Sequence, residues 1–322
     1  MKNLIVKPGS PLRILFPLVK KMRRWAQKFQ ARTGERLVVS GGKVLFMDAE
    51  LMFPENVALT YATPLFWNGP EAYEAPTSRA IALLAGQSAL FLDIGSNIGI
   101  YSVYVGVKFP KVKVFAFEPV PTIFEKNRAF HHANQLSDSV TQNLALSDRD
   151  GTQKLFLPVY ASGLEEEQTA TLDNASWQTQ EAQVTAFEVT CRTLDTFSAN
   201  TALPAGRVTL KIDVENFEAA VLRGGKKFLA ERRPWIVCEI LPTQKIDPVT
   251  KIRTNNNEEV LAVIGELKYA VFAITAEGFF RMSATDFSRP RSQKDFLLIP
   301  QEKVPGDFNF LAAENVSTLF TA

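Results

Sequence analysis

Four apolar runs in this sequence end on an acid. Ala89–Ile94 carries Asp93, Val112–Phe117 stops at Glu118, Val208–Ile212 stops at Asp213, and Trp235–Leu241 contains Glu239. In an open α/β sheet, ligands bind beyond the carboxyl ends of the strands. Carboxylates there are poor partners for phosphate and good partners for hydroxyls and positive charge. S-adenosylmethionine, with its ribose diol, amino group and sulfonium, has that chemistry. The loop Asp93-Ile94-Gly95-Ser96-Asn97-Ile98-Gly99 narrows the choice. A dinucleotide fingerprint beginning at Gly95 needs glycine at 95, 97 and 100; the chain has Gly, Asn and Ile. Asp93 would repel a pyrophosphate but can engage an amino group, while Glu118 suits a ribose diol in either fold. Gly95 and Gly99 let a ligand approach the backbone without a Cβ in the way.

A second set lies farther along. Lys211 and Asp213 share a strand face by the two-residue period, with Glu215 just past them. They are expected at the pocket edge. The plainer alternatives are a surface ion pair for Lys211 and Glu215 and a helix N-terminal acid for Asp213. The two histidines, His131 and His132, sit about three turns into the helix after Glu118 and read as surface or packing residues. A hydroxyl proton would then pass to a carboxylate, a lysine or water, with Asp213 or Glu215 as the base. Cys191 and Cys238 lie in apolar runs without metal-ligand spacing, so buried free thiols and a reducing compartment are expected. No metal site is expected.

The elements that must position these residues alternate. Residues 76–86 read as a helix, then strand Ala89–Ile94, helix 98–108, strand Val112–Phe117, helix to about 134, and strand Val140–Leu146. Ser147–Gly151 is turn chemistry leading into Lys154–Leu157. Val208–Ile212 precedes a helix over 216–230, Trp235–Leu241 is another strand, and 258–267 is helical. Val271–Thr275 and Phe296–Ile299 are the last strands. Strands separated by helices predict βαβ units and an α/β, doubly wound, mostly parallel seven-stranded sheet with helices on both faces. Short strands are expected over Val38–Phe46 and Leu51–Leu59.

At this point the chain resembles the FkbM-type S-adenosylmethionine-dependent methyltransferases. The likeness runs in order through FLDIGSNIGIYS (91–102), FAFEPVPTIFEKNRAF (115–130), NLALSDRDG (143–151), TLD (193–195), LKIDVENFEAAVLRGG (210–225) and CEI (238–240). The resemblance implies that Asp93, Gly95, Asn97 and Gly99 form the methionine-side loop and that Glu118 holds the ribose hydroxyls. It implies that Asn143 and Ala145 flank the adenine and that Asp213 faces donor and acceptor. One departure is Asn216, where the family has Gly after the KIDVE segment; Asn tolerates the left-handed region better than most residues.

Composition sets the remaining bounds. The 322 residues are 46% apolar and 22% charged, ordinary for a globular chain. Residues 1–34 hold nine Lys or Arg and no acid, so the rest carries a net −7, 27 basic against 34 acidic residues. Four parts are expected: a basic arm (1–34), strands and a helix packing on the core (35–86), a methyltransferase domain (87–302) with an acidic insertion at 158–183, and a tail (303–322). The arm places Leu15, Leu18, Met22, Trp25 and Phe29 on one stripe beside Lys20, Lys21, Arg24 and Lys28. Self-docking, an anionic membrane surface through residues 12–31, and nucleic acid compete for it, the last disfavoured by the acidic body. No run is long and apolar enough for a membrane span, so a cytoplasmic protein, peripheral at most, is expected.

The leading functional expectation is O-methylation of a hydroxyl on a sugar, glycolipid or secondary metabolite. N-methylation, a binding module without turnover, and a nicotinamide oxidoreductase are the alternatives. Acceptor choice is expected in loops 60–75, 158–183 and 242–256.

Overall fold

In the computed structural model of the chain, the described residues are 3–6, 36–39, 41–55, 59–137, 140–158, 184–241, 244–246, 253–283, 294–304 and 310–312. The amphipathic stretch 12–31 and almost all of the acidic insertion lie outside them.

The first strands are β1 (Asn3–Val6) and β2 (Arg36–Val39), paired in parallel, and the hairpin of β3 (Gly42–Phe46) and β4 (Ala49–Phe53). Helices α1 (Leu59–Asn68) and α2 (Ala75–Ala85) follow. The α/β core begins with β5 (Leu90–Ile94), α3 (Ile100–Lys108), β6 (Lys113–Phe117), α4 (Pro121–Ala133) and β7 (Thr141–Gln142). A separate three-stranded sheet joins β8 (Ala145–Leu146), β9 (Gly151–Pro158) and β10 (Val184–Arg192), with β10 in the middle. Then come α5 (Leu194–Ala199), β11 (Val208–Ile212), α6 (Glu218–Gly224), α7 (Lys226–Arg232) and β12 (Trp235–Glu239). The small hairpin of β13 (Gln244–Ile246) and β14 (Arg253–Asn255) leads to α8 (Asn256–Glu266) and β15 (Tyr269–Ile274). Last are β16 (Gly278–Arg281), β17 (Asp295–Pro300) and β18 (Phe310–Ala312).

The main sheet has nine strands in the order β18-β16-β15-β17-β12-β11-β5-β6-β7. This corrects the expectation of a mostly parallel seven-stranded sheet. The pairs among β12, β11, β5, β6 and β7 are parallel, but β12–β17, β15–β17, β15–β16 and β16–β18 are antiparallel. Helix-strand alternation holds only as far as β15. Beyond it a tight turn at 275–277 replaces the crossover helix, and strands joined that closely must run antiparallel. β17 then inserts between β12 and β15, which no periodicity foretells.

Local corrections have local causes. The strand expected over Leu51–Leu59 ends at Phe53, and Leu59 instead opens a helix that runs to Asn68 with Pro64 inside it. The expected strand Val140–Leu146 splits at Asn143, whose Nδ2 donates to the carbonyls of Glu118 (2.9 Å) and Pro119 (3.1 Å). The first part stays in the main sheet and the second pairs with β10. The helix expected over 216–230 is two short ones meeting at Gly225.

The strands bury side chains on both faces because helices cover both. One face packs α2, α3, α4 and the β3–β4 hairpin around Ile81, Leu84, Val103 and Phe130. The other packs α5 to α8 around Phe197, Leu222, Leu229 and Val263. The hairpin is tied down by Phe53 on Phe130 (4.5 Å between centroids) and Phe46 on Tyr104 (5.3 Å).

Candidate active site

The carboxyl ends of β5, β6, β11 and β12 face one cavity of about 230 Å³. Its wall includes Gly95, Ser96, Asn97, Glu118, Ala145, Lys211, Asp213, Glu215 and Glu239, so most of the expected residues converge. Asp93 and Gly99 lie behind the wall, and Asn143 is exposed and holds the β6–α4 turn instead.

At the β5–β6 end the backbone does the work. The chain turns after β5 through Gly95 (φ 75°), Asn97 (φ 51°) and Gly99 (φ 87°). A Cβ on Gly95 would stand 1.9 Å from the Asp213 carbonyl oxygen, so only glycine lets the loop lie against the end of β11. A Cβ on Gly99 would meet the His131 ring at 2.7 Å. His131 is therefore a packing residue under the loop, and burial pushes its imidazole down to about 4. His132 is exposed.

Asn127, fully buried on α4, fastens the same loop. Its Nδ2 donates to the Asn97 carbonyl (2.7 Å) and to Ser96 Oγ (2.9 Å). Sequence reasoning missed it, although it falls inside the 115–130 motif. Glu118 accepts from the N–H of Asn97 (3.0 Å) and of Val120 (2.9 Å). Burial outweighs these bonds and raises its carboxyl to about 7. Asp93 Oδ2 accepts from the Ser102 N–H (3.0 Å) at the start of α3, and Oδ1 has no hydrogen-bond partner among the described residues. Burial raises this carboxyl too.

At the β11–β12 end the partners are lysines. Lys211 Nζ donates to Asp213 Oδ2 (2.9 Å) and lies 5.2 Å from the Tyr101 ring centre. Burial opposes the ammonium charge, but Asp213, Asp93 and Glu74 outweigh it and hold Lys211 protonated. Asp213, Glu215 and Glu239 bring carboxylate oxygens within 4.8 Å of one another. Burial, then the Asp213 charge, pushes Glu215 up to about 8. Burial and Asp213 also push Glu239 well up. Burial acts the same way on Asp213, but Lys211 and a hydrogen bond shared with Glu239 hold it below its ordinary value.

Two groups that sequence reasoning did not single out complete this end. Lys294, just before β17, donates to Glu239 Oε1 (2.6 Å) and to Glu74 Oε1 (3.0 Å). Glu74, just before α2, also accepts from the Tyr101 hydroxyl at Oε2 (2.8 Å). Tyr61 and Tyr73 extend the same wall, their rings 4.9 Å apart. Only tertiary contact relates these residues to the motifs, since they lie in an unforeseen helix, a turn and an isolated lysine. Glu215 (φ 50°) and Asn216 (φ 75°) are both left-handed, so the turn after β11 keeps its shape with Asn in the glycine position.

The donor set fits S-adenosylmethionine. The loop end presents the buried Glu118 carboxyl, bonded to backbone N–H groups and to no basic side chain among the described residues, which suits a diol, and Asp93 keeps an unpartnered buried oxygen, which suits a cation. Residues 93–271 match the family model of the methyltransferase FkbM domain. The chain belongs to the FkbM methyltransferase family, and its cofactor is S-adenosylmethionine.

Relatives are distant. Methyltransferase sdnD of Sordaria araneosa is 37% identical over 57 residues, 18% of this chain and 17% of that protein. The solved methyltransferase FkbM of Methylobacillus flagellatus KT is 12% identical, with 74% of this chain and 52% of that one covered and a TM-score of 0.36. A putative O-methyltransferase of Klebsiella pneumoniae is 12% identical over 70% of this chain and 79% of that one, with a TM-score of 0.38. The chain thus spans about half the length of the solved FkbM protein and under a fifth of the curated relative.

Proposed function

We propose that this chain methylates a hydroxyl oxygen of a small molecule or glycan: a sugar, a glycolipid or a secondary metabolite. The carrying observation is that one cavity joins a carboxylate held by backbone amides, Glu118, to a lysine-paired carboxylate, Asp213. When bound, S-adenosylmethionine would supply an electrophilic methyl on sulfur, with the thioether as leaving group.

In this reading Gly95 and Asn97 shape the methionine-side loop and Glu118 accepts from the ribose hydroxyls. Asp93 and Gly99 support that loop from behind, and Ala145, with Asn143 at the adjoining turn, borders the adenine. Asp213 accepts the acceptor's proton as its oxygen bonds to the methyl carbon. Lys211 keeps Asp213 ionised and oriented, and Glu215 stands at the cavity edge as the next carboxyl. Holding donor and acceptor in line is worth ~7–11 kcal/mol, so a weak base suffices.

Tyr61, Tyr73 and Tyr101 along the cavity wall favour a second reading, methylation of an amine against an aromatic face. The test is incubation of the full chain with S-adenosylmethionine and parallel panels of sugars, glycolipids and amines. A mass gain of one methyl on a hydroxyl acceptor, with matching S-adenosylhomocysteine, supports the first reading. Gain only on amines supports the second, and absence of cofactor binding overturns both.

No helix among the described residues is long and apolar enough to cross a membrane. For residues 12–31 we keep peripheral contact with an anionic membrane as part of the proposal. Co-sedimentation of the full chain with anionic vesicles, lost on charge reversal of Lys20, Lys21 and Arg24, supports it; equal recovery removes it.

A further inference from the structure

Six side chains in the cavity form a closed ring. Tyr101 donates to Glu74, Lys294 joins Glu74 to Glu239, Glu239 meets Asp213, Asp213 is paired to Lys211, and Lys211 returns to the Tyr101 ring. Four of them lie within residues 93–271; Glu74 and Lys294 lie outside the matched domain. The ring has three carboxyl groups and two ammonium groups, so one carboxyl has no cation of its own. Two carboxyl groups in contact with an unbalanced charge hold a proton between them.

We propose that Glu74 and Lys294 are positioning residues of this site, fixing the Glu239–Asp213 carboxyl pair so that it holds one proton and leaves Asp213 free to take the acceptor's. The inference rests on the methyl-transfer reading for its purpose but not for its geometry. In the reaction the acceptor O–H breaks, its oxygen forms the new bond to the methyl carbon, and the C–S pair stays on sulfur. The proton goes to Asp213, and one proton of the pair is afterwards released to water.

Two further observations support the assignment. Glu74 sits at φ 39°, a left-handed conformation that costs a non-glycine residue free energy and persists only where its surroundings demand it. The other titratable groups facing the pair among the described residues are Asp93 on β5, Glu215 and Glu218 after β11, the Cys238 thiol on β12, Asp295 on β17, and the Tyr73 and Tyr101 hydroxyls. None of these carries positive charge, so among the described residues Lys211 and Lys294 are the cations that oppose protonation of the pair.

The test is a carboxyl-carbon NMR titration of the full chain labelled at Asp and Glu side chains, with Glu239→Gln and Asp213→Asn assigning the pair. In wild type the assigned Glu239–Asp213 signals should show one proton lost well above the ordinary carboxylate range. Glu74→Gln removes a negative charge and should move that step down by about one pH unit, whereas Lys294→Gln removes a positive one and should move it up by about as much. Lys294→Arg should restore the wild-type step, and it decides together with Glu74→Gln if Lys294→Gln does not fold. Shifts in the same direction, no shift, or no elevated step in wild type would overturn the proposal. The titration uses neither cofactor nor acceptor, so failure of the acceptor panel leaves its outcome separate. Where an acceptor is found, the acid limb of the pH–rate profile should move in the same two directions.

Discussion

The two ends of the cavity use the same residue type in opposite ways. Glu118 and Asp93 bond to backbone N–H groups, and among the described residues no lysine hydrogen-bonds to either, although Lys211 lies beside Asp93 across the β5–β11 pair. Asp213 and Glu239 bond to Lys211 and Lys294. Backbone amides stabilise a carboxylate without cancelling its charge, which leaves it able to take hydroxyls or a cation. An ammonium cancels the charge, and what remains to be exchanged is a proton. Four acids at four strand ends thus divide by the partners that the fold brings to them, and under the proposed methyl transfer one pair would bind and the other would handle a proton.

The largest expected effect would break the comparison outright. Asp213→Asn should lower turnover by ~10²–10⁴-fold, the usual worth of a general base, while cofactor affinity measured by calorimetry stays near wild type. Loss of affinity equal to loss of rate would mean that the two halves are one site. Glu118→Ala should do the converse. It removes a charged acceptor worth ~1.5–3 kcal/mol per bond, so the dissociation constant should rise about ten- to a hundredfold; an unchanged constant removes Glu118 from the cofactor site.

The pH dependence sharpens the same contrast. Glu118 titrates near 7 in the folded chain against an ordinary 4.5. Its raised value favours the native state below about 4.5, and that contribution is lost as pH rises through about 7. Cofactor affinity should rise over the same interval, as the carboxyl ionises. Thermal melting of wild type against Glu118→Gln from pH 4 to 8 should show a decline that the variant lacks.

Smaller effects separate support from chemistry. Asn127→Ala leaves the loop carbonyl of Asn97 and Ser96 Oγ without their donor. It should cost ~1–3 kcal/mol of stability and weaken cofactor binding with little change in the turnover of bound substrate. Tyr104→Phe removes only the hydroxyl that donates to Asp48 Oδ1 (2.9 Å), on the hairpin side of α3. It should cost ~1 kcal/mol or less, read as a shift of a few degrees at most, with binding and rate unchanged. An effect of Tyr104→Phe on cofactor binding would show that the hairpin is coupled to the site.

The sequence alone brings the residues of the β5–β6 end together. Asp93, Gly95, Asn97 and Glu118 are close in the chain, and their convergence follows from strand ends, glycine spacing and the next strand's acid, all local or one βαβ unit apart. It also determined the parallel core, because alternation of strand and helix leaves few ways to connect them. The antiparallel half of the sheet escaped, since insertion of β17 between β12 and β15 is a long-range pairing with no period of its own. That pairing, with α1 and α2 across the same cavity, carries Lys294 and Glu74 to Glu239. A carboxylate's neighbours from 55 and 165 residues away decide whether it presents charge or holds a proton, and only the tertiary structure places them there.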